Sequence, residues 1–230
     1  MPNYSFSKIF IEARYSPALF FNDMNKIQLI ADELIELFPI YTFEPNQKAL
    51  VLNNIDKHYA ANILANRFIL DVDEPINFDE FKEIADKFIY SIITNLNIKT
   101  MNRIGMRTLR GMNKKNIGEA NNFIKKNLFK FDDLLFNKLG SDINNLGITF
   151  SFRSDDYTIA VNIRSNSMQT IEMKDNAMVR NETVNQVLVD SDVFLEGTID
   201  IDTVSNRFIN DVIKINNNKI DNFIKNVSIY

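Results

Sequence analysis

Residues 98–111 read Ile98-Lys99-Thr100-Met101-Asn102-Arg103-Ile104-Gly105-Met106-Arg107-Thr108-Leu109-Arg110-Gly111, and no other stretch constrains the architecture as much. Successive side chains of a strand point to opposite faces. Met101, Arg103, Gly105, Arg107 and Leu109 therefore share one face, and Ile104, Met106 and Thr108 share the other. The segment is flanked by helices. Upstream, Phe78, Phe81, Ile84, Ala85, Phe88, Ile89 and Ile92 recur at three- and four-residue spacing, an amphipathic helix running to about Asn95. Asn77 caps it, and Glu80 stands three positions on in capping-box fashion. Downstream, helices are predicted at 117–128 and 131–138.

Further out, each side repeats a similar order. Residues 8–15 read as a strand. Residues 23–37 read as a helix capped by Asn22 or Asp23 and stopped by Pro39. Residues 40–43, 50–53 and 67–72 read as strands, while 56–65 fits a helical turn or a strand. In the second part, 146–153, 156–164 and 168–174 read as a meander turning at Ser154-Asp155-Asp156, and 184–196 as a strong strand. Asp200 or Asp202 caps a last helix carrying Val204, Phe208, Ile209, Val212 and Ile220. The junctions look alike: Phe68–Asp73 before one helix, Val193–Thr198 before the other. The expected fold is α+β, with antiparallel sheets and amphipathic helices on one face. It divides as two similar β-α-β(n)-α halves, 1–97 and 98–230, or forms one continuous domain.

Composition narrows the chemistry. The chain has 230 residues, 45% hydrophobic and 24% charged, the proportions of a globular protein. A chain of this size buries about 70% of its surface. Cysteine is absent, which excludes disulfides, thiol nucleophiles and thiolate metal sites. The one histidine, His58, leaves a Ser-His-Asp site little to work with and reads as a surface residue. The net charge of −4 gives no global field for nucleic acid. The glycines have the spacing of no phosphate loop. No run approaches 18 apolar residues, so no membrane helix is expected. The first residues lack the pattern of a secretory signal, and the expected location is cytoplasmic.

Two motifs carry charge in a pattern. Arg103 and Arg107 project to one side with Gly105 between them, an arrangement suited to an anion or to acids on a neighbouring strand. Asp190 and Asp192 likewise share a face, extended by Glu196. Paired carboxylates either hold a divalent metal or are neutralised by arginines. Mutual neutralisation explains both motifs without a ligand. A basic stretch over 99–130, with Arg110, Lys114 and Lys115 at its centre, is the nucleic-acid candidate.

Arg103-Ile104-Gly105-Met106-Arg107 in mid-chain and Val187-Leu188-Val189-Asp190-Ser191-Asp192-Val193-Phe194 before the last helix together resemble a sporadically distributed, uncharacterised prokaryotic protein family. Its mid-chain strand reads Arg-x-Gly-x-Arg and its late strand Asp-x-Asp. Members continue the first motif with an aromatic and Asn, where this chain has Thr108-Leu109-Arg110. The resemblance implies an accessory role in conflict or phage-defence systems. The expected function is a non-catalytic binding or regulatory protein, without a cofactor, whose partner is a protein, either itself or another subunit. The alternatives are a divalent-metal hydrolase or nuclease using Asp190, Asp192 and Glu196, and a nucleic-acid binder using the 99–130 stretch.

Overall fold

The computed structural model describes residues 5–75, 77–129, 143–174 and 177–227, the side chains of 170–181 excepted. The helix predicted at 131–138 lies outside them. In chain order the elements are β1 (Ser5–Arg14), α1 (Met24–Glu33), β2 (Ile40–Glu44), β3 (Ala49–Asn54), β4 (Tyr59–Leu64), β5 (Arg67–Asp73), α2 (Phe78–Leu96), β6 (Thr100–Lys114), α3 (Ile117–Leu128), β7 (Gly147–Ser154), β8 (Tyr157–Lys174) and β9 (Ala177–Asp200). The last helical run, α4, extends from Ile201 to Val227. Its α-helical pieces are separated by two π-helical turns, Val204–Phe208 and Asn216–Ile220.

The nine strands of the described residues form one antiparallel sheet in the order β2-β3-β4-β5-β1-β6-β9-β8-β7. In each half the opening strand pairs with the half's last strand, from which the meander runs outward. β1 pairs with β5, and β6 with β9. The opening strands also pair with each other, Ile11 opposite Met106, so the sheet continues unbroken across the 97/98 boundary. That boundary falls at Asn97, which ends α2 in the left-handed conformation (φ 53°).

Local sequence explains most of these elements. Asp23 accepts from the Asn25 amide at the start of α1, and Asn77 accepts from the Asp79 and Glu80 amides at the start of α2. The Glu80 carboxylate accepts from the Tyr59 hydroxyl (2.9 Å). Asp200, not Asp202, caps α4. The ambiguous 56–65 segment is a turn followed by β4. His58 takes φ 57° in that turn, and β4 bonds to β3 and β5 on both edges, which overrides helix propensity. The strands predicted at 156–164 and 168–174 are one strand, β8, whose far end pairs with β9.

Burial alternates along the strands. Ile9, Ile11 and Ala13 of β1, Phe68, Leu70 and Val72 of β5, Ile104 and Met106 of β6, and Val189 and Val193 of β9 all lie in the core. The helices cover this face; their buried side, including Phe81, Phe88, Ile124, Phe208 and Val212, joins the same core. Phe88 packs edge-on against Phe68 at 5.5 Å between ring centres. Antiparallel sheets commonly keep the opposite face in water, and here that face carries the charged residues.

Candidate functional site: an arginine–aspartate ladder

β6 lies in mid-sheet between β1 and β9, and its two faces have different chemistry. Arg103, Gly105 and Arg107 stand on the face opposite the described helices. The register sets Arg107 opposite Asp192 and Arg103 opposite Glu196. The guanidiniums do not bond straight across. Both lean the same way along the strand. Arg107 reaches Asp190 through two nitrogens, Nε to Oδ1 at 2.6 Å and Nη2 to Oδ2. Arg103 donates from Nη2 to Asp192 Oδ2 at 2.7 Å, and its Nε stands 3.5 Å from Glu196 Oε1. Bidentate guanidinium–carboxylate pairs of this kind are among the stronger hydrogen bonds in proteins.

Gly105 makes the lean possible. A Cβ there would stand 3.0 Å from Asp192 Oδ1 and from Phe194 Cβ, and 3.3 Å from Arg103 Nη1. The group that approaches the backbone at this glycine is thus the protein's own ion pair. Phenylalanines complete the site. The Arg103 guanidinium lies 4.6 Å from the centre of the Phe194 ring, and that of Arg107 lies 5.3 Å from Phe10.

Burial is uneven. The Asp190 side chain is 7% exposed and that of Arg107 41%. Hydrogen bonding to Asp190 holds Arg107 above its ordinary pKa, against the opposing effect of burial. Burial pushes the Asp192 carboxyl above the usual range, although Arg103 pulls it down.

A second ladder, absent from the sequence reading, occupies the same face of the first half. Lys8 on β1 meets both Asp71 and Asp73 on β5 at 2.9 Å each. Burial lowers the Lys8 pKa, but bonds to the two carboxylates outweigh it and raise the net value. Burial raises Asp71. The signal was present: Asp71-Val72-Asp73 is also an Asp-x-Asp on the strand before a long helix.

Arg110 does not offer its charge to a phosphate. Its parity places it under the helices, and it is 3% exposed. Its guanidinium donates to Thr108 Oγ1 (2.8 Å), Ser191 Oγ (3.3 Å) and Asn216 Oδ1 (3.2 Å), stands 3.1 Å from Asp221 Oδ1 and lies 4.6 Å from the Phe6 ring. Burial pulls its pKa down to about 10, with Asp221 opposing, so it is charged at neutral pH. A π turn closes its bonds over five residues. That spacing brings Asn216 and Asp221, five apart, to one guanidinium. Of the other two residues in this group, Lys114 is half-buried with its ammonium 4.5 Å from the Phe123 ring, and Lys115 is exposed. Lys130, the last residue of the stretch, lies outside the described residues.

The arrangement leaves Asp190 and Asp192 engaged by guanidiniums. Among the described residues no group of three or more His, Asp or Glu side chains is placed to hold a metal ion. His58 is exposed at its turn. No described helix is long and apolar enough to cross a membrane. The chain matches no family model and no curated protein sequence.

Proposed function

We propose that this chain is a non-catalytic binding or regulatory protein that works through contact with another protein. One observation carries the reading: the most conspicuous charged constellation pairs Arg103 with Asp192 and Arg107 with Asp190. Carboxylates engaged in this way serve poorly as metal ligands or general bases, because their lone pairs already accept bonds from a fixed cation. The partner surface is suggested by exposed apolar residues. Seven of the eleven large, exposed hydrophobic side chains among the described residues lie between 19 and 41, including Leu19 (83% exposed), Phe20, Ile40 and Tyr41. Ile40 and Tyr41 lie on β2, the edge strand of the sheet, and Gln28 of α1 donates to the Tyr41 hydroxyl, while Leu19 and Phe20 line a hollow with residues 96–100. Clustered apolar exposure beside an open edge marks protein contact. The family resemblance adds the accessory role in conflict or phage defence.

Calorimetric titration with Mg²⁺ and Mn²⁺ tests the non-catalytic part. The expected result is no saturable heat; metal binding abolished by Asp190→Asn would restore the hydrolase reading. Co-purification with the products of adjacent genes tests the partner. Complex formation lost in Leu19→Asp and Ile40→Asp variants supports the surface, and complex formation unaffected by both rules it out.

A further inference from the structure

A cavity of about 270 Å³ opens between the β7–β8 hairpin and α4, on the helical side of the sheet and away from both ladders. Phe152, Ile159, Val161, Ile220 and Phe223 form its apolar wall. Phe150, Phe152 and Phe223 make an aromatic cluster, with ring centres 5.6 to 6.5 Å apart. Phe152 remains 47% exposed, large for a phenylalanine. The charges around this wall are of one sign: Arg153 and Lys219 line it, and no acid does. Lys219 donates to the neutral Ser154 hydroxyl, and among the described residues neither cation is in an ion pair. Three carboxylates, Asp155, Asp156 and Asp211, line an adjoining hollow together with Arg207 and Lys214, and Lys219 and Ser154 stand on the wall common to both.

The backbone supplies a second observation. Lys219 and Ile220 sit on the π turn Asn216–Ile220. Such turns are rare and gather at functional sites. Here the turn directs Asn216 inward to Arg110 while Lys219 and Ile220 face the cavity. Sites for drug-sized ligands span about 300–1,000 Å³, so the occupant is smaller than that.

We propose that this cavity binds a small amphipathic carboxylate, a single aromatic ring or short acyl chain with its anionic head at Lys219 and its apolar body against Phe152 and Phe223. The proposal is independent of the protein-contact reading above. The probe is 4-phenylbutyrate, titrated by calorimetry and by ligand-observed NMR. Saturable binding is expected, weakened about tenfold or more by Lys219→Met, the scale of one lost charge-assisted contact. Phe152→Ser should weaken it comparably; that side chain is half in water, so folding is preserved. The neutral analogue 4-phenylbutanamide should bind at least about tenfold less tightly. Lys87→Met, on α2, should change nothing. No saturable binding, equal affinity for the amide, or binding unaltered in both cavity variants would each overturn the proposal.

Discussion

The two faces of β6 hold arginines under opposite conditions. Arg103 and Arg107 are partly wet, each held chiefly by one aspartate of β9 on a face that no described helix covers. Arg110, three residues beyond Arg107, is sealed beneath α4 with four oxygen partners and an aromatic ring. An isolated charge is expensive to bury, and the cost is offset only when every donor is satisfied. The wet ladder can lose a partner to solvent. The sealed network cannot, and it ties the last helix to the centre of the sheet.

The largest expected effect is therefore at Arg110. Arg110→Met removes the donor shared by the Thr108, Ser191 and Asn216 oxygens and leaves Asp221 without its cation, and should cost about 3–5 kcal/mol in urea unfolding. A loss no greater than that of the ladder variants would erase the contrast. Asp190→Ala strands Arg107, whose side chain can still reach water, and should cost about 1.5–3 kcal/mol. Gly105→Ala forces a Cβ into the path of the Arg103–Asp192 bond and should cost about 1–2 kcal/mol. Its effect should shrink in an Asp192→Ala background, which a double-mutant cycle would read.

A smaller effect appears with pH. Burial raises Asp192 in the folded state, so the native protein holds that proton more tightly than the unfolded chain does. Stability should then fall as pH rises from the ordinary carboxylate range through the raised value. Asp192→Asn should make the decline shallower; an identical slope would remove Asp192 as its source. Asp71, raised for the same reason, contributes in the same direction. The smallest effect is at Lys115: Lys115→Ala, exposed, should stay within about 0.5 kcal/mol of the parent.

Strand alternation made much of the fold legible. It placed Arg103 and Arg107 on one face, and the helix caps Asp23, Asn77 and Asp200 stood at the ends their bonds require. The same parity assigns Arg110 to the Thr108 face. Reading 99–130 by charge alone lost that distinction and made a buried residue look like a phosphate contact. The diagonal lean of the guanidiniums was not legible, because it depends on cross-strand register, which no single strand encodes. The π turns of α4 were hidden as well. The apolar spacing of Val204, Phe208, Val212 and Ile220 is compatible with an unbroken α-helix, and the irregularity follows from what Asn216 and Asp221 must reach across space.

The pairing of β1 with β6 has a consequence for how the chain tolerates being cut. Severing the peptide bond between Asn97 and Ile98 divides the protein into two pieces, each with one edge of its opening strand bared where β1 and β6 had paired. The two bared strands share a register running from Ser5 opposite Gly111 to Arg14 opposite Arg103. Fragments produced separately should precipitate through these raw edges. Produced in one cell, they should zip together into a nicked protein that elutes with the intact one.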